Sequence, residues 1–201
     1  ATIYKKVPID INFDNIKYNG PKLEELANIF SELEFFSLLK NTSTKSNQKE
    51  IKFTTILDAK EIEDADTYAY YIECDKENYH DANIVGMSVV TKKNNYYVPK
   101  LLINDTLEFL KDKIKYTYDL KKNICLLKSE DILSNTIFDT MISSYLLEEN
   151  TKEDIAYLMI PKDYKIEFYD ASLKNGFNSK DIVTKARFIY DTRDDYLKRI
   201  K

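Results

Sequence analysis

The 201-residue chain is long enough for one sizeable domain with its own core. Its net charge of −4 and pI near 5.3 argue against a dedicated nucleic-acid-binding domain, which is usually basic, while leaving a local basic patch open. Two cysteines, no apolar run of membrane-spanning length and no signal peptide point to a cytosolic protein with reduced thiols, and the lone His80 has no cysteine or second histidine for a zinc site.

In residues 1–20, Ile9, Ile11 and Phe13 alternate with Asp10, Asn12 and Asp14, the pattern of a half-buried strand or an extended arm. Gly20-Pro21 breaks that pattern. Proline suits a helix start, where its missing N–H is no loss. Leu23, Leu26, Ile29, Phe30, Leu33 and Phe36 then follow helical spacing, with Glu24, Glu25, Glu32 and Glu34 mostly outside. Asn41 to Glu50, NTSTKSNQKE, has no apolar residue and reads as a linker. The expected organisation is a lead-in at 1–40, a linker at 41–50 and a compact domain at 51–201.

Within that domain, Phe53–Leu57 reads as a short strand and Ala59–Asp66 as a short acidic helix. Tyr68–Cys74, rich in aromatic and β-branched residues, reads as a strand. Asn83–Thr91 reads as a second, and Tyr96–Val98, after the polar turn Lys92-Lys93-Asn94-Asn95, as a third. The three form an antiparallel meander. Beyond Pro99, Asn104 or Asp105 is placed to cap a helix through Lys111. Ile114–Tyr118 is a short strand and Leu120–Lys128 a helix. Asp139 sits where an N-cap belongs before Thr140–Leu147. Thr151 and Asp154 have capping-box spacing for a helix to Met159. Pro161–Asn178 reads as irregular, and Ser179 as the cap of a long last helix to Lys201. Strands first and helices after predict a mixed α/β sheet flanked by helices.

Several runs match a family. Glu73, the stretch Glu77-Asn78-Tyr79-His80-Asp81-Ala82-Asn83-Ile84-Val85-Gly86, Phe138-Asp139-Thr140-Met141 with Tyr145-Leu146-Leu147, and Lys185 to Lys201 resemble the 3′–5′ exonuclease domain of the family A DNA polymerases, bacterial DNA polymerase I. Val7-Pro8-Ile9-Asp10 and Leu33–Leu39 look like the segment joining the 5′ nuclease to that domain. The resemblance implies a ribonuclease H-like 3′–5′ exonuclease fold. It also implies a place in DNA replication and repair in the cytoplasm, a polymerase domain of the same chain after Lys201, DNA contacted through that parent protein, and Mg²⁺ for the parent polymerase.

Active members hold two divalent ions, roughly 4 Å apart, with four acidic side chains; the ions polarise the scissile phosphate, activate water and stabilise the leaving oxygen. Hard cations need oxygen ligands that balance their charge. The first two come from an Asp-x-Glu, whose residues share one face of a strand. Here that run is Tyr71-Ile72-Glu73. The second acidic position falls on Asn123 by the run of residues, or on Lys122 by ungapped counting. The last falls on Lys185. One ligand of four remains, and a lysine adds positive charge where negative charge is required. The resemblance thus implies the branch whose metal site has degenerated: a structural module with no catalytic residues, no metal and no cofactor of its own.

Other readings stay open. A working two-metal exonuclease would use Glu73, Asp119 and Asp194, the last within the literal Tyr-x-x-x-Asp of Tyr190–Asp194; it requires those carboxylates to converge. Against it, Asp119 and Asp139 stand where helix caps belong, and Asp194 lies off the apolar stripe. A free-standing ribonuclease H-like binding protein is the third reading. His80 beside Asp81 reads as a loop hydrogen bond, and Lys111, Lys113, Lys115, Lys121 and Lys122 as a solvated face.

Overall fold

The computed structural model describes residues 8, 20–33, 35, 38, 51–149 and 154–200. The chain divides into two units, residues 1–46 and 47–201, with the break inside the expected linker. In the first unit, α1 (Leu23–Glu32) is amphipathic. Its first turn closes on the Lys22 carbonyl, so the helix begins two residues after Pro21 rather than at it. Gly20 precedes it at φ +93°, a conformation glycine tolerates without strain. The expected extended arm and the helical continuation at Phe36 lie outside the described residues.

The second unit is built on six strands: β1 (Thr54–Thr55), β2 (Thr67–Cys74), β3 (Ile84–Val90), β4 (Asn95–Pro99), β5 (Ile114–Thr117) and β6 (Thr136–Asp139). Their order across the sheet is β1-β4-β3-β2-β5-β6. β2–β3 and β3–β4 are antiparallel, as the meander predicts, while β1–β4, β2–β5 and β5–β6 are parallel. The helices are α2 (Ile103–Leu110), α3 (Leu120–Leu127), α4 (Thr140–Leu146), α5 (Ala156–Met159), α6 (Tyr169–Asn175) and α7 (Ser179–Ile200).

β2 sits in the middle and is buried on both faces. Side chains alternate along a strand, so Ala69 and Tyr71 join a core with Ile182, Ala186 and Ile189 of α7. Tyr68, Tyr70, Ile72 and Cys74 join a second core with Ile103 and Leu110 of α2 and Leu126 of α3. Polar ties fix α7 to the sheet. The Ser88 hydroxyl donates to the Ile182 carbonyl (2.8 Å), and Arg187 donates from Nε to Asn95 (2.8 Å) and from its terminal nitrogen to the Thr91 carbonyl (2.8 Å).

Several local expectations need correction. Ala59–Asp66 is not a helix but a single 3₁₀ turn, Ala59–Glu61, closed by an Asp58/Glu61 capping box. Beyond it the tyrosine hydroxyls of Tyr96 and Tyr68 accept the Glu63 and Ala65 N–H groups that a helix would have used. α2 starts at Ile103, not after Asn104 or Asp105, because a 3₁₀ turn at Lys100–Leu102 leads straight into it from Pro99. The stretch read as irregular contains α6, whose first N–H, at Tyr169, is taken by Asp154 (2.8 Å) and which ends at Gly176, φ +92°. Thr151 lies outside the described residues; Asp154 instead accepts the Ala156 N–H at the start of α5 (2.9 Å). Asn178, not Ser179, caps α7, its Oδ1 accepting the Asp181 N–H (2.8 Å).

Candidate functional site

Tyr71 and Glu73 lie two residues apart near the C-terminal end of β2, on the face that α7 covers. Lys185 comes down onto them from the second turn of α7. Its Nζ is 2.5 Å from Glu73 Oε2 and 4.9 Å from the centre of the Tyr71 ring. Glu73 and Lys185 are each 1 % exposed. The other Glu73 oxygen accepts the Cys74 N–H at 3.3 Å. The Tyr71 hydroxyl is pushed well above its ordinary pKa, first by burial and then by the Glu73 charge, so the ring is a neutral wall. An ammonium held between a carboxylate and an aromatic face is a closed, charge-balanced unit.

Strand irregularity and one glycine set this geometry. The β2–β3 register shifts between Glu73 and Cys74, and Glu73 pairs with Gly86. A Cβ at Gly86 would sit 2.6 Å from the Tyr97 hydroxyl. The missing side chain lets the Tyr97 ring lie over β3 beside Glu73.

Asn123 and Lys122 have different surroundings. Asn123 is buried, and its Nδ2 donates to Thr117 Oγ1 (2.8 Å) and, more weakly, to the Tyr118 carbonyl (3.4 Å) at the end of β5. Thr117 in turn donates to the Tyr70 carbonyl (3.3 Å), tying this corner to β2. Lys122 is half-buried, its ammonium 5.6 Å from the Tyr169 ring centre. The structure therefore brings Tyr71, Glu73 and Lys185 into contact and seats Asn123, rather than Lys122, in the interior.

The alternative carboxylates go elsewhere. Asp119, at φ +55°, caps α3 by accepting the Lys122 N–H (3.0 Å). Asp194 is exposed and pairs with Arg193 (2.5 Å) in an open cleft that it shares with Thr67, at the opposite end of β2 from Glu73. Six residues of extended strand span about 20 Å, so Glu73 and Asp194 are far apart. Among the described residues no three His, Cys, Asp or Glu side chains come together in a way that holds a metal ion. Asp139 caps two helices at once: its Oδ1 accepts from Asp119 (3.1 Å) and Met141 (2.9 Å) N–H, and Oδ2 from Leu120 N–H (2.7 Å). His80 is exposed; its N–H donates to Asn78 Oδ1 (3.2 Å) and its ring lies against Tyr79.

Two groups near the site have no local signal in the sequence. Tyr169, brought by α6, donates from its hydroxyl to the Cys74 carbonyl (2.8 Å) and so closes the strand end just past Glu73. Asp154 lies close enough to raise the Tyr71 hydroxyl further. Tyr169 arrives through a stretch read as irregular and Asp154 was legible only as a cap, and neither spacing announces a contact with β2.

A family model described as DNA polymerase I, ribonuclease H-like domain, matches residues 70–173, just over half of the chain. DNA polymerase I of Bacillus caldotenax is 31% identical over 177 residues, covering 82% of this chain and 20% of that protein. DNA polymerase I of Bacillus subtilis is 25% identical over 206 residues, covering 92% of this chain and 23% of that protein. The chain thus spans about a fifth of the length of these relatives. Among solved structures, Brucella melitensis NrnC bound to pGG has a TM-score of 0.53 at 13% identity, covering 73% of this chain and 78% of that one, a likeness of fold alone. The chain belongs to the ribonuclease H-like, 3′–5′ exonuclease-like domain family of bacterial DNA polymerase I.

Proposed function

We propose that this chain is a DNA polymerase I exonuclease-like module without exonuclease activity, whose work is to brace the polymerase part of a longer polypeptide in cytoplasmic DNA replication and repair. The observation that carries the reading is the buried Lys185–Glu73 ion pair at 2.5 Å. A two-metal site needs several carboxylates around two dications. Here the one remaining carboxylate is already neutralised by an internal cation, Tyr71 supplies a ring in place of an oxygen anion, and the Asn123 amide is turned to Thr117 and Tyr118. These residues do not fit a divalent pair, and no catalytic step is derived through one. In this reading Mg²⁺ and the contacts to DNA belong to the polymerase part.

The separation of Glu73 from Asp194, and the capping role of Asp119, also support this reading over a rebuilt exonuclease. The test is degradation of a 3′-labelled single strand by this chain with Mg²⁺ and then Mn²⁺. The expected result is no shortening. Metal-dependent shortening that disappears in Glu73→Ala would overturn the proposal.

A further inference from the structure

Lys115 was expected on a solvated face, but it is fully buried. Its Nζ lies within hydrogen-bond distance of four backbone carbonyls: Ser134 (2.7 Å), Leu110 (2.8 Å), Lys113 (2.9 Å) and Lys111 (3.0 Å). Three of these belong to the end of α2 and the turn after it. The fourth carbonyl of that turn, Asp112, accepts from the Asn135 amide (3.0 Å). The last carbonyls of a helix have no partner within the helix and carry its negative pole. Here they converge on one point instead of facing water.

An ammonium has three N–H donors and no acceptor, so it serves the four carbonyls with one N–H shared between two of them, whereas a neutral amine would set its lone pair against a carbonyl. Burial draws the Lys115 pKa down to about 8, which leaves it charged at neutral pH. The ladder bends at the same place. The β5–β6 register shifts between Lys115 and Tyr116, and Asn135 takes φ +56°, which turns the Ser134 carbonyl inward. A cavity of about 260 Å³, lined in part by Asn104, Glu108, Lys111, Ser129 and Asp131, lies against Lys115.

We infer that the α2–β5 turn and Ser134 form a monovalent-cation cage, which the chain fills with its own Lys115 ammonium and which accepts a free ammonium-type cation or K⁺ when that side chain is cut back. Carbonyl oxygens at 2.7–3.0 Å match the reach of N–H donors and of a large monovalent ion. The neighbouring cavity gives such an ion room to enter. The cage joins the end of α2 to the turn before β6, so Lys115 fastens the far edge of the sheet.

The test follows thermal unfolding of the whole chain and of Lys115→Met and Lys115→Ala, in chloride salts of ammonium, methylammonium, K⁺ and tetramethylammonium at equal ionic strength. Lys115→Met is expected to lower the midpoint by more than about 5 °C. Lys115→Ala is expected to recover part of its loss, saturably, with ammonium, methylammonium or K⁺. Tetramethylammonium, too large and without N–H groups, is expected to do nothing. A Lys115→Met variant as stable as the parent, no recovery of Lys115→Ala with any of the salts, or equal recovery with all four, would overturn the inference. If the variants do not fold, ¹⁵N-lysine spectra of the unaltered chain decide. Besides the signal of the buried Lys185, a slowly exchanging –NH₃⁺ signal coupled through hydrogen bonds to backbone carbonyls and lost in Lys115→Met is expected near neutral pH; its absence from the unaltered chain overturns the cage.

Discussion

Cutting one partner out of the Lys185–Glu73 pair tests the central geometry. At 2.5 Å and an effective dielectric of about 20, the Coulomb attraction is about 7 kcal/mol. Dehydrating two ions offsets several kcal/mol for each, so the pair as a whole adds little net stability. Removing one partner is different, because it leaves the other charge buried with no counter-ion. Lys185→Met strands the Glu73 carboxylate and Glu73→Leu strands the ammonium over Tyr71, and each is expected to cost about 3–5 kcal/mol. For a unit of this size that is roughly 6–20 °C in Tm. The double variant removes both charges and fills the space with apolar atoms; it is expected to return within about 2 kcal/mol of the parent. With no tryptophan in the chain, urea unfolding followed by far-UV circular dichroism is the suitable assay. Single variants that each cost under about 1 kcal/mol, or a double variant equal to the sum of the singles, would refute the buried pair.

The metal reading predicts a reversal. With Glu73 retained, Tyr71→Asp, Asn123→Asp and Lys185→Asp together are expected to create Mn²⁺ binding that titration calorimetry detects and the parent lacks; a folded triple variant giving no heat would count against these positions sharing one site. Asp139 closes the N-termini of both α3 and α4, so Asp139→Ala is expected to cost about 1–4 kcal/mol, the sum of two lost caps, by urea unfolding. Glu149 holds the far end of α7: it accepts from Tyr196 (2.7 Å) and Lys162 (3.2 Å) and pairs with Arg199. Burial raises its pKa, but the Tyr196 hydrogen bond and the two cations outweigh it, so the net shift is downward from 4.5. A lowered carboxyl pKa means that stability is present above the ordinary value and is lost as pH falls through the folded one. Glu149→Gln is therefore expected to be less stable than the parent at pH 7, with the gap closing below about pH 4.5; a gap that does not change with pH would sink the assignment.

Much of the strand architecture was legible because it is written locally. The aromatic and β-branched content of Tyr68–Cys74 and Asn83–Thr91, the polar turn at Lys92–Asn95 and the stop at Pro99 each act within a few residues, and the meander follows from them. Asp119 and Asp139 were readable as caps for the same reason: an acceptor before a helix has its partners two or three residues on. The helix start at Ile103 differs from the expected cap at Asn104 or Asp105 because a 3₁₀ turn runs into it from Pro99, and the cap at Asn178 differs by one residue because Asn178 and Ser179 are both suitable acceptors.

The candidate site divides along the same line. That Tyr71, Glu73, Asn123 and Lys185 are one carboxylate, an amide, a phenol and a cation is a property of the sequence, and so is the shortage of metal ligands among them. That Lys185 meets Glu73 across 112 residues, and that Asn123 is fully buried on Thr117 while Lys122 lies half-buried over Tyr169, was decided by how α3 and α7 lie on the sheet. Lys115 shows the difference most plainly. In the sequence it is one lysine in a basic run, and short-range pattern assigns such a run to solvent. Its burial depends on four carbonyls drawn from two separate turns. Local spacing encodes which groups a residue carries and which neighbours it meets along its own element; whether a buried charge finds a partner is settled only when distant backbone atoms converge.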